Sequence, residues 1–205
     1  MTKLLIIRHG NTFAPDETAR RVGCRTDIPL VQSGVEQSRA LGVYLKRENM
    51  CPDYIFASEL QRAQQTAQIM AHDAICDLPI QTDKTFNEID HGPDENKTED
   101  EIIERIGSDS LRDWNEFGVV PPGWKVDPRQ LQKAWIDFAD ACLNERSGKI
   151  TCVVSSGGII RFAPIVLDNN ILPEGETSKV KTASMSLFHH DGNKWVCEFW
   201  NKRPQ

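Results

Sequence analysis

Lys3-Leu4-Leu5-Ile6-Ile7-Arg8-His9-Gly10 is the stretch of this 205-residue chain that decides its fold. The unbroken apolar run from Leu4 to Ile7 predicts a strand that is buried on both faces of a sheet. Ligands of open α/β sheets bind outside the carboxyl ends of the strands. The guanidinium of Arg8 and the imidazole of His9 therefore indicate a binding site at the end of this first strand.

Further strands and helices alternate along the chain. β-Branched and aromatic runs bounded by turn residues predict strands at 54–58, 80–82, 150–155, 184–189 and 194–200. Apolar periodicity predicts helices at about 33–49, 59–71 and 128–145. This alternation predicts an α/β fold, a three-layer α/β/α sandwich with a mainly parallel central sheet. The Asp191-Gly192 turn predicts an antiparallel C-terminal edge, and Ser33 and Glu36 have the spacing of a helix capping box.

The stretch 92–127 interrupts this alternation. We expect a single domain over residues 1–205, in which this stretch is an excursion above the site with a possible lid function. Its first part is acidic, and the run 94–99 lacks the glycine of a calcium-binding loop. We interpret that run as a solvated helix face. Trp114 and Trp124 are interpreted as packing residues of the core or the lid rather than as a platform for substrate.

Composition argues against several partners. The formal net charge of −6 disfavours binding to nucleic acid or to an anionic membrane, which requires pooled Lys and Arg side chains. No apolar run approaches the roughly 20 residues of a membrane span, and the N-terminal residues lack the features of a signal peptide. The six cysteines form no Cys-x-x-Cys, so we expect reduced thiols rather than a zinc site or disulfides. A cytoplasmic enzyme or binding protein is the expectation that remains.

His9, Arg8 and Arg62 have the chemistry that phosphoryl transfer without a metal requires. A neutral imidazole at His9 can attack phosphorus and form a phosphohistidine, which divides one displacement into two steps. The guanidinium groups of Arg8 and Arg62 present planar pairs of donors that match phosphate oxygens. An acid is also needed to protonate the leaving oxygen.

A second apolar run, 150–155, leads into Ser156-Gly157-Gly158. The two glycines are expected to begin a helix whose free N–H groups can bind an anion. A serine between a strand and such a helix also suggests the nucleophile elbow of α/β-hydrolases, with Ser156 as the acyl acceptor. That motif requires a glycine where this chain has Val154, so the serine-hydrolase hypothesis is the weaker one.

Five motifs follow one another along most of the chain: Arg8-His9-Gly10-Asn11-Thr12, the stretch 23–30 running into Gly34, the stretch 58–67 with Arg62, Phe86-Asn87-Glu88-Ile89-Asp90, and the stretch 155–161. In this order they resemble the histidine phosphatase superfamily with its phosphoglycerate mutase-like fold. The resemblance implies that His9 is phosphorylated and that Arg8 and Arg62 bind the phosphoryl group. It further implies that Glu88 is the proton donor and later the base for water, and that Asn11 adds a polar contact.

Ser156 departs from the pattern of that family. The resemblance implies a second histidine directly before Gly157, which donates to the phosphoryl oxygens and adds positive charge. Hydrogen bonds to charged groups contribute about 1.5–3 kcal/mol and neutral ones about 1 kcal/mol. The loss of charge should therefore slow catalysis about tenfold or somewhat more. His91, three residues after Glu88, is the nearest histidine that can compensate, although a packing or exposed position is the simpler interpretation.

These observations predict a phosphomonoester hydrolase that needs no metal or other cofactor and acts on a small phosphorylated metabolite. One alternative is a catalytically weak or inactive member that binds a phosphorylated ligand as a sensor or scaffold, because of Ser156. Another is a phosphotransferase of the phosphoglycerate mutase type. The mutase is less favoured, because the stretch 92–127 has only the isolated Arg105 and Arg112 where the resemblance implies paired arginines.

The identity of the substrate and the oligomeric state do not follow from the sequence. Arg20, Arg21 and Arg25 can hold a second anionic group of the substrate. They can equally form solvated ion pairs with nearby acids. Neither interpretation selects a sugar phosphate over a nucleotide or a phosphoprotein.

Overall fold

The computed structural model describes residues 1–74, 76 and 78–204. Its strands are β1 (Thr2–Arg8), β2 (Tyr54–Ala57), β3 (Ile80–Thr82), β4 (Ile150–Ser155), β5 (Met185–His190) and β6 (Trp195–Lys202). They form one sheet in the order β3-β2-β4-β1-β5-β6. The first four strands in this order run parallel, whereas β5 is antiparallel to β1 and β6 is antiparallel to β5. The predicted mainly parallel sheet with an antiparallel C-terminal edge is confirmed.

Helices cover both faces of the sheet. They are α1 (Gln32–Arg47), α2 (Gln61–Ala74), α3 (Glu99–Phe117), α4 (Pro128–Glu145) and the single turn α5 (Gly157–Ile160). Alternate residues of a strand point to opposite faces, so Leu5 and Ile7 pack with α1 and α2. Leu4 and Ile6 pack into the other core, which includes α3, α4 and α5. This arrangement is the predicted three-layer α/β/α sandwich.

The predicted capping box at Ser33 is wrong. Helix α1 begins at Gln32, and its N-cap residue Val31 makes no side-chain cap. The Ser33 hydroxyl instead accepts a hydrogen bond from Asn11 Nδ2 at 3.3 Å, and Glu36 accepts one from Gln32. The Ser33 side chain therefore makes a tertiary contact with the loop after β1 and does not form the helix cap that the sequence spacing had predicted.

The stretch 92–127 contains a long helix that sequence reasoning missed. Helix α3 begins with a true capping box between Thr98 and Glu101, which is the signal that could have predicted it. Its apolar face and Trp124 join the core. The six cysteines of the chain are free thiols in the structure. The stretch forms one wall of the cavity described below through Ile102 and Trp114, and its closure as a lid stays a prediction.

The interpretation of the run 94–99 as a solvated helix face is wrong for its first two acids. Asp94 is 1% exposed and accepts hydrogen bonds from Arg105 and from Trp124 Nε1. Burial alone would raise the pKa of Glu95, but the nearby His91 ring and hydrogen bonds from Thr26 and the Gly23 N–H outweigh it and lower that pKa to about 2. Glu95 therefore ties the excursion to the segment that contains Gly23 and Thr26, whereas Asp94 joins α3 to Trp124 within the excursion itself.

Strands β1 and β4 are paired in a register that makes them end at the same edge of the sheet. Arg8 lies opposite Ser155 in the parallel pairing of β1 with β4, and the His9 N–H donates to the Ser155 carbonyl at 3.0 Å. The loop that follows passes against α1, where a Cβ on Gly34 would stand 2.2 Å from the Asn11 carbonyl oxygen. Only glycine permits this approach, which places residues 8–11 beside residues 155–157.

Candidate active site

A cavity of about 610 Å³ opens at the carboxyl ends of β1 and β4. Five of the predicted site residues line it: Arg8, His9, Asn11, Glu88 and Gly157. The other two, Arg62 and Ser156, are fully buried and do not line its wall. The sequence motifs therefore converge in space, with two of their side chains enclosed by protein.

His9 is held as a neutral imidazole with one nitrogen free to react. Its Nδ1 lies 2.8 Å from the Gly10 carbonyl oxygen, which can only accept, so Nδ1 carries the proton and Nε2 the lone pair. Burial lowers the pKa of His9 well below its ordinary value of 6.5, and the charges of Arg8 and Arg62 lower it further, against a smaller opposing effect of the Gly10 hydrogen bond. A neutral Nε2 is the form that attacks phosphorus.

We expect this tautomer and protonation state to be visible by NMR. Because the pKa of His9 is lowered, its imidazole should stay neutral and Nδ1-protonated while the pH falls through 6.5, where an unstructured histidine gains a proton. A titration with ¹⁵N-labelled histidine measures both properties at once. Signals of His9 that move at pH 6.5, or that report a proton on Nε2 at neutral pH, would contradict the assignment.

Arg8, which is half-buried, and Arg62, which is fully buried, place two positive charges near His9. Arg8 Nη1 donates to the Val180 carbonyl at 2.6 Å, while Arg62 donates to the carbonyls of Thr26 and Gly23 at 2.9 and 3.1 Å. Burial lowers the pKa of both guanidinium groups, and the charge of Glu88 opposes that shift.

Arg8 and Arg62 each keep a hydrogen-bond donor that is not used within the described part of the protein. The Nε of each is buried without a hydrogen-bond partner, and neither makes an ion pair within 4 Å to any residue that the structure describes. Buried donors and charges normally have partners. The pair therefore has unused capacity for an anion.

Glu88 lies between the arginines and the first turn of α5. Its Oε2 accepts from the Gly158 N–H at 3.1 Å and its Oε1 from the Ile89 N–H at 2.9 Å. A Cβ at position 158 would stand 2.3 Å from Oε1, so any other residue there would displace the Glu88 carboxyl group from this position. These contacts aim one fixed carboxyl group into the cavity that His9 also lines, where it can exchange protons with a bound molecule.

Two buried hydroxyl groups at this sheet edge have no hydrogen-bond partner among the residues that the structure describes. They belong to Ser156, which follows β4, and to Ser58, which follows β2. The Ser58 N–H donates to the Val154 carbonyl, which sets it at the same edge of the sheet. Ser58 was not selected as a site residue, although its position directly after a predicted strand was the available signal.

Asn11 makes hydrogen bonds to other segments and Gly157 leaves room for Arg8, and contact of either residue with a phosphoryl group stays a prediction. The Asn11 side chain donates to Ser33 and accepts from Thr182 Oγ1 at 2.6 Å, so it joins the loop after β1 to two other segments. A Cβ on Gly157 would approach Arg8 Nε to 3.3 Å, so the arginine lies against bare backbone.

His91 lines the cavity but is engaged in packing. It is buried, its ring meets Trp124 edge-on at 4.5 Å between centroids, and its Nδ1 lies 3.7 Å from Glu95 Oε2. The packing interpretation holds for its position, and compensation for the missing second histidine stays a prediction.

The three arginines considered for a second anionic group have different positions. Arg20 and Arg21 line the cavity, and Arg25 does not. Arg25 instead forms an ion pair with Asp90 at 3.2 Å. Sequence reasoning gave no role to Arg161, which also lines the cavity and which its place three residues after Gly158 could have indicated.

Two general properties bear on the class of protein. Over residues 1–74, 76 and 78–204, no group of three or more His, Cys, Asp or Glu side chains is placed to hold a metal ion. No helix in that part of the chain is long and apolar enough to cross a membrane.

The fold and the arrangement around His9 define a class of phosphoryl-transfer proteins. The model of branch 1 of the histidine phosphatase superfamily matches residues 4–203, and the chain belongs to this superfamily. A 2,3-bisphosphoglycerate-dependent phosphoglycerate mutase of Bifidobacterium longum (strain DJO10A) is 30% identical, over 93% of this chain and 87% of the relative. A probable phosphoglycerate mutase GpmB of Yersinia pestis (strain Pestoides F) is 25% identical, over 98% of this chain and 90% of the relative.

Solved structures share the fold. A mycobacterial glucosyl-3-phosphoglycerate phosphatase in complex with VO3 has a TM-score of 0.79 and 21% identity, with 98% of this chain and 99% of the other covered. A phosphoserine phosphatase of Entamoeba histolytica in complex with 3-phosphoglyceric acid has a TM-score of 0.73 and 21% identity, with 98% of both chains covered. The predicted phosphoglycerate mutase-like fold is confirmed.

Proposed function

We propose that the chain is a phosphomonoester hydrolase that works without a metal through a phosphohistidine on His9. The observation that carries the proposal is the neutral His9 with a free Nε2, beside two arginines with unused buried donors. In the first step, Nε2 attacks phosphorus, the ester P–O bond breaks, and the leaving oxygen takes a proton from the Glu88 carboxyl group.

The second step returns the enzyme to its starting state. The Glu88 carboxylate takes a proton from water, the hydroxide oxygen bonds to phosphorus, and the P–N bond to His9 breaks with its electron pair returning to Nε2. Arg8 and Arg62 stabilise the charge on the phosphoryl oxygens during both steps. The products are inorganic phosphate and an alcohol.

Ser156 motivates the alternative of a weak or inactive phospho-ligand-binding member. We favour an active hydrolase, because the Ser156 hydroxyl is buried without a protein partner and is therefore available to a phosphoryl oxygen. A buried unpartnered hydroxyl costs stability, which a bound anion would offset.

Replacing Ser156 with alanine should separate binding from stability. We expect the affinity for orthovanadate to fall about three- to tenfold, since one neutral hydrogen bond contributes about 1 kcal/mol. The thermal midpoint should stay the same or rise, because the hydroxyl has no partner in the free protein. Inhibition assays and circular dichroism measure the two effects, with the exposed Ser108→Ala as the matched control. An unchanged affinity for vanadate would remove Ser156 from the phosphoryl site.

The mutase alternative has the support of the relatives that carry that name. We rank it second, because the two arginines of the excursion are already paired. Arg105 is bound to Asp94 and to the Pro122 carbonyl, and Arg112 is bound to Asp109 and Asp113. A mutase must return the phosphoryl group to a second hydroxyl, whereas a hydrolase gives it to water.

Trapping the intermediate tests the proposal directly. The protein is mixed with a radiolabelled aryl phosphate, quenched within milliseconds and digested. Acid-labile, alkali-stable label on the His9 peptide, followed by release of inorganic phosphate, is the expected result. Transfer of the label to added phosphoglycerate faster than to water would favour the mutase. An acyl group on Ser156 from an ester substrate would support the serine-hydrolase hypothesis, and no label at all would support the inactive member.

A further inference from the structure

Two arginines in the cavity are not used by the proposed hydrolysis chemistry. The guanidinium carbon of Arg161 lies 4.0 Å from the ring centroid of Trp114, and that of Arg21 lies 5.4 Å from the ring centroid of Trp124. The two indole rings meet edge to face, 5.3 Å apart. Each arginine is therefore held against one member of a buried tryptophan pair, an arrangement that restrains a long side chain and lowers the entropy cost of binding.

The charge of Arg161 has no carboxylate partner in the described part of the chain. Its Nη2 donates to the Trp114 and Asn115 carbonyls at 2.6 and 3.1 Å and to Ser178 Oγ at 3.4 Å. No ion pair within 4 Å joins it to any residue in the described ranges. Burial lowers the pKa of Arg161 to about 10, Glu88 opposes this shift and Arg21 adds to it, so the side chain stays cationic at neutral pH.

Arg21 is only weakly compensated. Its ion pair with Glu99 spans 3.9 Å, and the Glu99 side chain is 74% exposed, so solvent screens most of that interaction. The charge of Arg21 is felt at Arg161 and at Arg8, since it lowers the pKa of both, though less than burial does. Arg8, Arg21 and Arg161 thus line one cavity, and the charge of Glu88 acts on all three. Two further cations, Arg20 and Lys179, and two further carboxylates, Glu17 and Glu99, also line its wall.

We propose that Arg161 and Arg21 form a second anion subsite, so that the substrate is a phosphomonoester whose alcohol part carries another anionic group, a carboxylate or a phosphate. This inference rests on the proposed function and names the substrate class of that site. His9 and Arg8 take the phosphoryl group, and the arginines on the tryptophan pair take the second anion. The cavity volume of about 610 Å³ accommodates a small molecule that reaches both.

Binding to a His9→Ala protein tests the subsite without relying on turnover. Calorimetry compares pairs of ligands that differ in one anionic group: 3-phosphoglycerate with glycerol 3-phosphate, and propane-1,3-diol bisphosphate with propyl phosphate. In at least one pair, we expect the ligand with the additional anionic group to bind about 10- to 100-fold more tightly than its partner. This is the range for hydrogen bonds to charged groups. The first pair reports a carboxylate preference and the second a phosphate preference.

Variants at the two arginines should remove this preference selectively. Arg161→Gln and Arg21→Gln, each in the His9→Ala background, should reduce the affinity ratio within the preferred pair about tenfold or more. The affinity for glycerol 3-phosphate or propyl phosphate should change less than threefold. Arg161→Lys should restore part of the ratio through its charge, and the exposed Arg129→Gln on α4 is the matched control.

The outcomes separate this inference from the proposed function. Equal affinities within both pairs, or variants that weaken both members of a pair alike, would overturn the subsite even if wild-type protein forms phospho-His9. A clear preference that the arginine variants abolish would support it even if the wild-type protein releases no phosphate. If Arg161→Gln fails to fold, Arg21→Gln alone must lower the ratio, and a ratio unchanged in that variant overturns the inference.

Discussion

Replacing His9 with alanine is expected to lower phosphate release from 4-nitrophenyl phosphate by at least about 1,000-fold, because no other group takes over the covalent step. The Nε2 lone pair is the proposed bond-forming atom, and its orientation depends on the hydrogen bond to the Gly10 carbonyl. Asparagine at position 9 keeps a donor for that carbonyl but has no nucleophilic nitrogen. His9→Asn should therefore be as inactive as His9→Ala while it retains more of the native stability.

Steady-state kinetics and thermal unfolding measured on the same preparations check this expectation. His72→Ala is the matched control, because the His72 side chain is exposed on α2, outside the cavity, and its loss should leave turnover unchanged. Folded His9 variants that keep more than about a tenth of wild-type activity would rule out the phosphohistidine route.

Glu88→Gln has the second largest expected effect, and its size should depend on the leaving group. An alkyl alcohol needs a proton as it leaves, so kcat/KM for an alkyl phosphate should fall about 100- to 10,000-fold, the range for general acid catalysis. Nitrophenolate leaves without a proton, so the first step should survive with 4-nitrophenyl phosphate. The second step should then stall, because glutamine cannot take a proton from water.

Stopped-flow absorbance makes this difference visible. We expect a burst of about one nitrophenolate per Glu88→Gln molecule, followed by a slow steady state, and accumulation of phospho-His9. The exposed Glu104→Gln on α3 should behave like the wild type in both assays. A loss that is equal for both substrates and shows no burst would mean that Glu88 only holds the loop at Gly158.

Sequence reasoning succeeded where a signal was local. The apolar run before Arg8 predicted the central strand, and the Asp191-Gly192 turn predicted the antiparallel edge that β5 and β6 form. It failed at Ser33 and at Asp94, where a contact with a distant segment overrides the local pattern. In both cases a polar side chain that looked like a helix end or a solvated face was taken up by a tertiary hydrogen bond.

For the candidate site too, residues in local sequence motifs were predicted, and residues without such a motif were not. Arg8, His9 and Glu88 were selected as candidates because each stands in a short ordered motif, and the structure places all three on one cavity. Ser58 and Arg161 were missed, since a serine after a strand or an arginine after a helical turn has many possible environments. The unpartnered hydroxyl of Ser58 and the position of Arg161 on the cavity wall become visible only when the neighbouring atoms are known.

The sequence by itself determined the layered α/β architecture and the superfamily resemblance, and it selected His9 as the proposed nucleophile, because periodicity and ordered motifs are properties of neighbouring residues. Only the tertiary structure decided that His9 is neutral with Nε2 free, since burial and two nearby charges set its protonation. The tertiary structure also decided that Arg21 and Arg161, far apart in the chain, face one cavity against paired tryptophans. Side-chain direction and desolvation depend on packing between distant segments, and no local pattern encodes them.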